Sequence, residues 1–248
     1  DLLNLAQKSL RANLLRSVLT SLGIIIGVSS VITMISIGSG AKEEVTNLID
    51  KFGSNNLILR AQTSSRGVSM GGNSANTLDT NDMEALMEEL PNLITAISPE
   101  VSMSTQILGN NNNWLSSVTG SNNAYFLMGN WSFDSGRAFE EEELNSGSRV
   151  AVIGKTIQKK LFEDMDPLGE MIRINKVPFT IIGVLEEKGG SAWRDLDDTI
   201  IVPLKTAKQR LVGNRFPGKK IRSMTIKIKE SDLVGQAEID IDRVMRIQ

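Results

Sequence analysis

The longest uninterrupted hydrophobic pattern in the chain runs from Ser17 to Ala41, SVLTSLGIIIGVSSVITMISIGSGA, and contains no charged residue. A bilayer core of roughly 30 Å takes about 20 helical residues, and a backbone crossing it must satisfy its hydrogen bonds internally, so this stretch predicts one membrane-spanning helix. A core helix of a soluble domain is the competing reading, but such helices seldom run this far without a charge. A signal peptide fits less well, because its apolar region is usually about 7–15 residues long; Ser39-Gly40-Ala41 is only a weak cleavage context. Before the span, Leu3, Ala6, Leu10 and Leu14 share a helical face opposite Lys8 and Arg11, which predicts an interfacial helix over 1–16. After it, Val45, Leu48, Ile49 and Phe52 recur at helical spacing, so the helix is expected to continue outward as a stalk over 42–54.

Beyond the stalk the pattern becomes that of a mixed domain. Asn56–Arg60 reads as a strand, and residues 61–76 are rich in Gly, Ser and Asn with no periodicity. Asn81 followed by Glu84 resembles a capping box ahead of Met83, Leu86, Met87 and Leu90, with Pro91 as the stop. Leu93 to Gly109 reads as extended material interrupted by Pro99, Asn110 to Asn113 as a four-residue hairpin loop, and Trp114 to Gly120 as the returning strand. A strand over Arg149 to Gly154 leads into a helix from Lys155 to Phe162. Asp166-Pro167-Leu168-Gly169 makes a turn, and strands follow at Met171 to Ile174, Pro178 to Leu185 and Thr199 to Val202. In the last strand, Ile221 to Lys229, Met224, Ile226 and Ile228 mark the inward face, and a helix from about Leu233 to Met245 closes the chain.

Charge orients the span. Lys8, Arg11 and Arg16 precede it against Asp1 alone, and these basic residues serve as membrane-interface anchors that keep the N-terminus cytoplasmic and the large domain outside. Gly23 and Gly27 form a Gly-x-x-x-Gly pair that would let another helix approach closely. The whole chain has 27 basic and 29 acidic residues, and all but four of these charges lie beyond Ala41, leaving an acidic outer part. That sign argues against nucleic acid as a partner. There is no Cys and no His. Thiolate chemistry, sulfur-ligated metals and the usual catalytic triads are therefore excluded, and no catalytic residue is nominated.

Two further motifs reduce to structure. Gly154-Lys155-Thr156 follows a strand and opens a helix, but Arg149 stands where a phosphate-binding loop needs glycine. Glu140 to Glu143 reads as a solvated face rather than a metal site, since adjacent residues on a regular element do not converge on one ion. The aromatic residues Tyr125, Phe126, Trp131, Phe133 and Phe139 gather in one region and read mainly as core. Arg66, Trp131 and Phe133 are the candidate partner-facing residues.

Leu14-Leu-Arg16-Ser-x-Leu-Thr20-x-Leu-Gly23-Ile-Ile-Ile-Gly27 and Gly38-x-Gly40-Ala41 resemble the first transmembrane helix of the MacB-type ABC transporter permeases, a group that includes lipoprotein-release and FtsX-like subunits. Gly129 to Phe139, Val152-Ile-Gly154, Leu161-Phe162, Asp166 to Gly169, Phe179 to Gly183 and Val202-Pro203 resemble the family's extracytoplasmic core in the same order. The resemblance implies an α+β fold: one N-terminal transmembrane helix (17–41), then a discontinuous βαβ-type porter-like subdomain (55–120 and 221–248) with a mainly β subdomain inserted (121–220). It implies a cell inner membrane location, a permease dimer with four helices per subunit, and three helices that this sequence does not contain. ATP and Mg would belong to a partner nucleotide-binding domain, fused or separate, and the chain itself would be non-catalytic. A periplasmic adaptor and an outer-membrane channel are the implied outer partners. Export is the leading expectation, with lipoprotein release and FtsX-like regulation of a cell-wall hydrolase as alternatives.

Overall fold

The computed structural model describes residues 14–52, 55–61, 78–163, 165–191 and 194–247. Lys8, Arg11, Arg66, most of the expected interfacial helix and nearly all of the 61–76 excursion lie outside the described residues. The chain divides into two units, residues 1–50 and 51–248.

The first unit is carried by one helix, α1 (Leu14–Phe52), 39 residues without a break. At 1.5 Å per residue it is about 58 Å long. Val18–Lys42 is the part long and apolar enough to cross a membrane, and none of it is buried. The helix also continues through the charged residues that follow, as the spacing after Ala41 predicts.

The second unit is α+β. It begins with β1 (Asn56–Arg60), followed by α2 (Thr80–Glu89) and β2 (Ile94–Gly109). β1 and β2 run parallel on either side of the late strand β11 (Ser223–Ile228), each antiparallel to it, which makes a split βαβ arrangement. Leu86 of α2 and Ala237, Ile241 and Val244 of the C-terminal helix α7 (Val234–Ile247) are buried in the same core as Ile97, Met224, Ile226 and Ile228. The inward face expected of the last strand is the one observed.

β2 then enters a second construction. Its residues Val101 to Gly109 pair with β3 (Asn112–Ser121), and Thr199 to Pro203 of β10 pair in parallel with β3. The pairing continues from β10 to β5 (Val150–Ile153), β7 (Val177–Leu185) and β6 (Met171–Ile174), and β6 returns to β2 through Ile107↔Ile174 and Leu108↔Arg173. These six strands therefore close on themselves as a small barrel, with β4 (Phe133–Gly136) added alongside β7. Ala151, Ile153, Ile181, Ile200 and Val202 belong to the main core, whereas Val152, Leu185 and Ile201 join Phe126 and Phe139 in a second cluster. Burial on both faces is why these strands read as continuous apolar runs.

Several local features differ from the sequence expectation. Asp79, not Asn81, caps α2: its Oδ1 accepts from the Asn81 and Asp82 amides at 2.6 and 3.1 Å, and Asp82 Oδ2 accepts from the Asp79 amide. An extended Asp79 places its carboxylate on the orphan amides, so the helix starts earlier than the Asn81–Glu84 spacing suggested. Pro99 does not interrupt β2, because the edge it faces carries no ladder. The Ile97 and Pro99 carbonyls accept from Asn122 Nδ2 and Ser121 Oγ, and a residue's N–H leaves the strand on the same side as its carbonyl. The hairpin loop has two residues rather than four: Asn110 and Asn111 both have positive φ, the type I′ geometry asparagine tolerates. Within the acidic run, Glu140 and Glu143 form a capping box for α4 (Glu141–Ser146), and Arg137 grips both Glu143 oxygens at 2.8 and 2.9 Å. The expected subdomain boundary at 120/121 falls inside β3, and the sheet runs across it.

Candidate functional site

On α1, Gly23 and Gly27 lie in open space, with nothing but the helix's own adjacent backbone within 4 Å of where a Cβ would stand, and Arg16 is exposed. Thr20 and Thr33 return their hydroxyls to the Arg16 and Ser29 carbonyls, so polar groups inside the apolar stretch are satisfied along the helix itself.

In the second unit, a groove of about 630 Å³ opens over the face of the β1–β11–β2 sheet opposite the core. Strand alternation builds its floor. Leu57, Leu59, Met224 and Ile226 turn inward, so Ile58, Arg60, Ser223 and Thr225 turn the other way, joined by Ser98 and Glu100 of β2. Ser98 and Ser121 hydrogen-bond at 2.7 Å. Glu100 accepts from Thr225 Oγ1 at 2.8 Å. Burial pushes the Glu100 carboxyl above its ordinary range, an effect that the Thr225 hydrogen bond and the Arg60 charge only partly oppose.

One wall is the turn of helix α3 (Ala124–Met128) and Trp131, tied to the floor by Asn56 Nδ2 donating to the Met128 carbonyl at 2.9 Å. The other is a strap that includes Lys188, Asp195 and Asp198. Asp197, almost fully buried, holds this strap by accepting the Lys188 and Gly189 amides at 2.9 and 2.8 Å. Asp195 accepts from Thr156 Oγ1 at 2.7 Å and from the Asp197 amide, and Asp198 accepts from Trp114 Nε1 at 3.1 Å. Lys188 spans both walls: its Nζ donates to the Gly129 carbonyl and lies 4.0 Å from the Trp131 ring centroid.

The sequence-predicted partner residues separate. Trp131 lines the groove, whereas the half-buried Phe133 packs edge-on against Phe126 with centroids 5.1 Å apart. Glu100, Thr225 and Arg60 were not singled out by sequence reasoning. The available signal was a carboxylate inside the run Ile97-Ser-Pro-Glu-Val101 and the outward set of the last strand. Among the described residues no group of acidic side chains has a metal-holding arrangement. The groove offers hydroxyls, a desolvated carboxylate and an aromatic wall. That is a binding surface rather than a nucleophile with its base.

A family model described as the MacB-like periplasmic core domain matches residues 17–244. The macrolide export ATP-binding/permease protein MacB of Wolinella succinogenes is 38% identical over 247 residues, covering 99% of this chain and 37% of that protein. The protein of the same name from Bdellovibrio bacteriovorus is 36% identical over 239 residues, covering 96% and 36%. The chain thus spans little more than a third of the curated relatives it matches. Among solved structures, the periplasmic region of MacB from Actinobacillus actinomycetemcomitans superposes with a TM-score of 0.63 at 22% identity, covering 80% of this chain and 86% of that one. The extracellular domain of the noncanonic ABC-type transporter YknZ from Gram-positive bacteria gives 0.61 at 18% identity, covering 77% and 92%. At these identities the likeness is one of fold.

Proposed function

The chain belongs to the family of the MacB-like periplasmic core domain, and from that premise we propose that it is the first transmembrane helix and outer domain of an ABC-type export permease. In this reading the N-terminus is cytoplasmic, the α+β unit lies outside the inner membrane, and two subunits assemble with Gly23 and Gly27 at a helix contact. ATP is hydrolysed on a nucleotide-binding domain with Mg, and the motion passes along α1 to the outer unit, which engages a periplasmic adaptor leading to an outer-membrane channel. The relatives' names support export over lipoprotein release or hydrolase regulation, and macrolides are the first substrate class to test.

The observation that carries the proposal is the unbroken helix Leu14–Phe52, which includes a membrane-length apolar segment and continues well past it. A continuous helix of about 58 Å transmits displacement where a flexible linker would absorb it. The test is Ile49→Pro in the intact transporter reconstituted in proteoliposomes with its ATP-binding part, with Ile49→Ala as control. Proline inside a helix removes a hydrogen bond and kinks it. Retained ATP hydrolysis with lost ATP-driven macrolide efflux is the expected result. Efflux unchanged in the proline variant would overturn the coupling role.

A further inference from the structure

We propose that the groove over the β1–β11–β2 floor binds the protonated amine of an amphiphilic cation, with the Glu100 carboxylate as its counter-ion and Trp131 and Ile58 contacting its apolar part. The inference rests on the export reading and names the class of molecule the outer unit would handle.

Three observations carry it. First, Glu100 is under-supplied with donors: among the described residues Thr225 Oγ1 is the one hydrogen-bond donor to its carboxylate, through Oε1. Carboxylates with structural roles are normally met by several donors, as Asp197 is by two backbone amides. A desolvated carboxylate facing a groove is stabilised by a ligand that brings an N–H and a positive charge.

Second, the charges around the groove leave room for a cation. Its lining contains two cations, Arg60, which lies in line with Glu100 across Ser223, and Lys188, against three carboxylates, Glu100, Asp195 and Asp198. The Lys188 ammonium is drawn to the Gly129 carbonyl and the Trp131 face. The carboxylates of Asp195 and Asp198 sit on the strap and already accept from Thr156 and Trp114. Asp198, like Glu100, accepts one side-chain donor, but it sits on the strap, and Glu100 is the carboxylate of the sheet floor.

Third, the groove is amphipathic as well as charged. Ile58 is 56% exposed beside the hydroxyl-bearing floor residues Ser223 and Thr225, and Trp131 supplies the wall over the buried Met128. An exposed isoleucine on the same groove floor as a desolvated carboxylate suits a ligand with a greasy body and a charged amine. A wholly polar ligand such as a free sugar would leave that surface unmatched.

The experiment is calorimetric titration of the 248-residue chain in lipid nanodiscs with erythromycin, a macrolide carrying a dimethylamino sugar. The comparison ligand is its N-demethylated, N-acetylated derivative, which keeps the sugar and loses the charge; empty nanodiscs give the background. Glu100→Gln keeps the acceptor for Thr225 and removes the charge, and it should weaken erythromycin binding roughly tenfold or more. The neutral derivative should bind wild type and Glu100→Gln alike, both weakly. Ile58→Lys, a substitution of an exposed residue, should abolish binding by placing a competing ammonium in the groove. Affinities of wild type and Glu100→Gln within about twofold would overturn the proposal. So would equal affinity for the charged and acetylated ligands, or no binding by wild type. Binding is measured here without ATP, so a failure of ATP-driven efflux bears on the export reading alone.

Discussion

Gly154→Ala tests whether the strap is held where the groove needs it. Gly154 has φ −86° and ψ 168°, a conformation open to alanine, so the substitution carries no backbone strain of its own. The obstacle is steric: a Cβ at this position would stand 2.2 Å from the Asp197 carbonyl oxygen and 2.9 Å from its carbon. Backbone must move to relieve it. The same carbonyl accepts the Thr156 amide at 3.3 Å at the start of helix α5 (Lys155–Leu161), and that bond stretches or breaks when the strap shifts. Overpacking costs about 1–3 kcal/mol and a lost hydrogen bond roughly 1 kcal/mol, for a total of about 2–4 kcal/mol. For a unit of this size that lowers the melting temperature by roughly 4–16 °C. The assay is thermal unfolding together with amide hydrogen exchange, where the Lys188 and Gly189 amides should lose protection first. Gly235→Ala, in open space on α7, is the control and should be neutral or slightly stabilising. A Gly154→Ala protein that melts with wild type and keeps both amides protected would refute the contact argument.

Glu100→Gln should raise the melting temperature at pH 7 and lose that advantage as pH falls into the ordinary carboxylate range. Because burial raises the folded-state pKa, the native protein binds the proton more tightly than the unfolded chain, and stability drops as pH rises through that window. A melting temperature with the same pH profile in both proteins would contradict this. Replacing Gly23 or Gly27 with Leu should leave the fold of the single chain unchanged, since nothing but the helix's own adjacent backbone lies within 4 Å, yet reduce assembly far more than Val31→Leu; equal dimer yields from all three would remove the special role of the pair. The chain has no native cysteine, so single labels at Ser9→Cys and Ser231→Cys report topology cleanly: Ser231→Cys should react with an impermeant maleimide from outside and Ser9→Cys from inside, and external reaction of Ser9→Cys would reverse the assignment.

The sequence was informative where one physical pattern dominates. The uncharged span, the helix ahead of Pro91 and the alternating last strand are each local, and each appears in the structure within a few residues. What escaped is what depends on distant neighbours. Pro99 looked like a break because its missing donor is read locally, while the ladder edge it faces is set by Ser121 and Asn122 more than twenty residues on. Barrel closure rests on two residue pairs between β2 and β6, and no periodicity announces them. Glu100 could be seen as a charge in a strand, but its burial and its partnership with Thr225 arise only when residues 125 positions apart meet. Gly154 has the sequence setting of a nucleotide loop's end, and its role in the structure is to admit the Asp197 backbone.

Whether ATP-driven motion reaches the outer unit is read from a distance between two subunits of the intact transporter. Spin labels at the exposed Glu238→Cys position of α7, read by pulsed electron resonance in nanodiscs, would compare the nucleotide-free and ATP-trapped states. The distance distribution should shift on ATP trapping, and the shift should be lost in the Ile49→Pro variant, which breaks α1 beyond its apolar segment. An unchanged distribution in a wild-type transporter that still hydrolyses ATP and exports its substrate would contradict the coupling role.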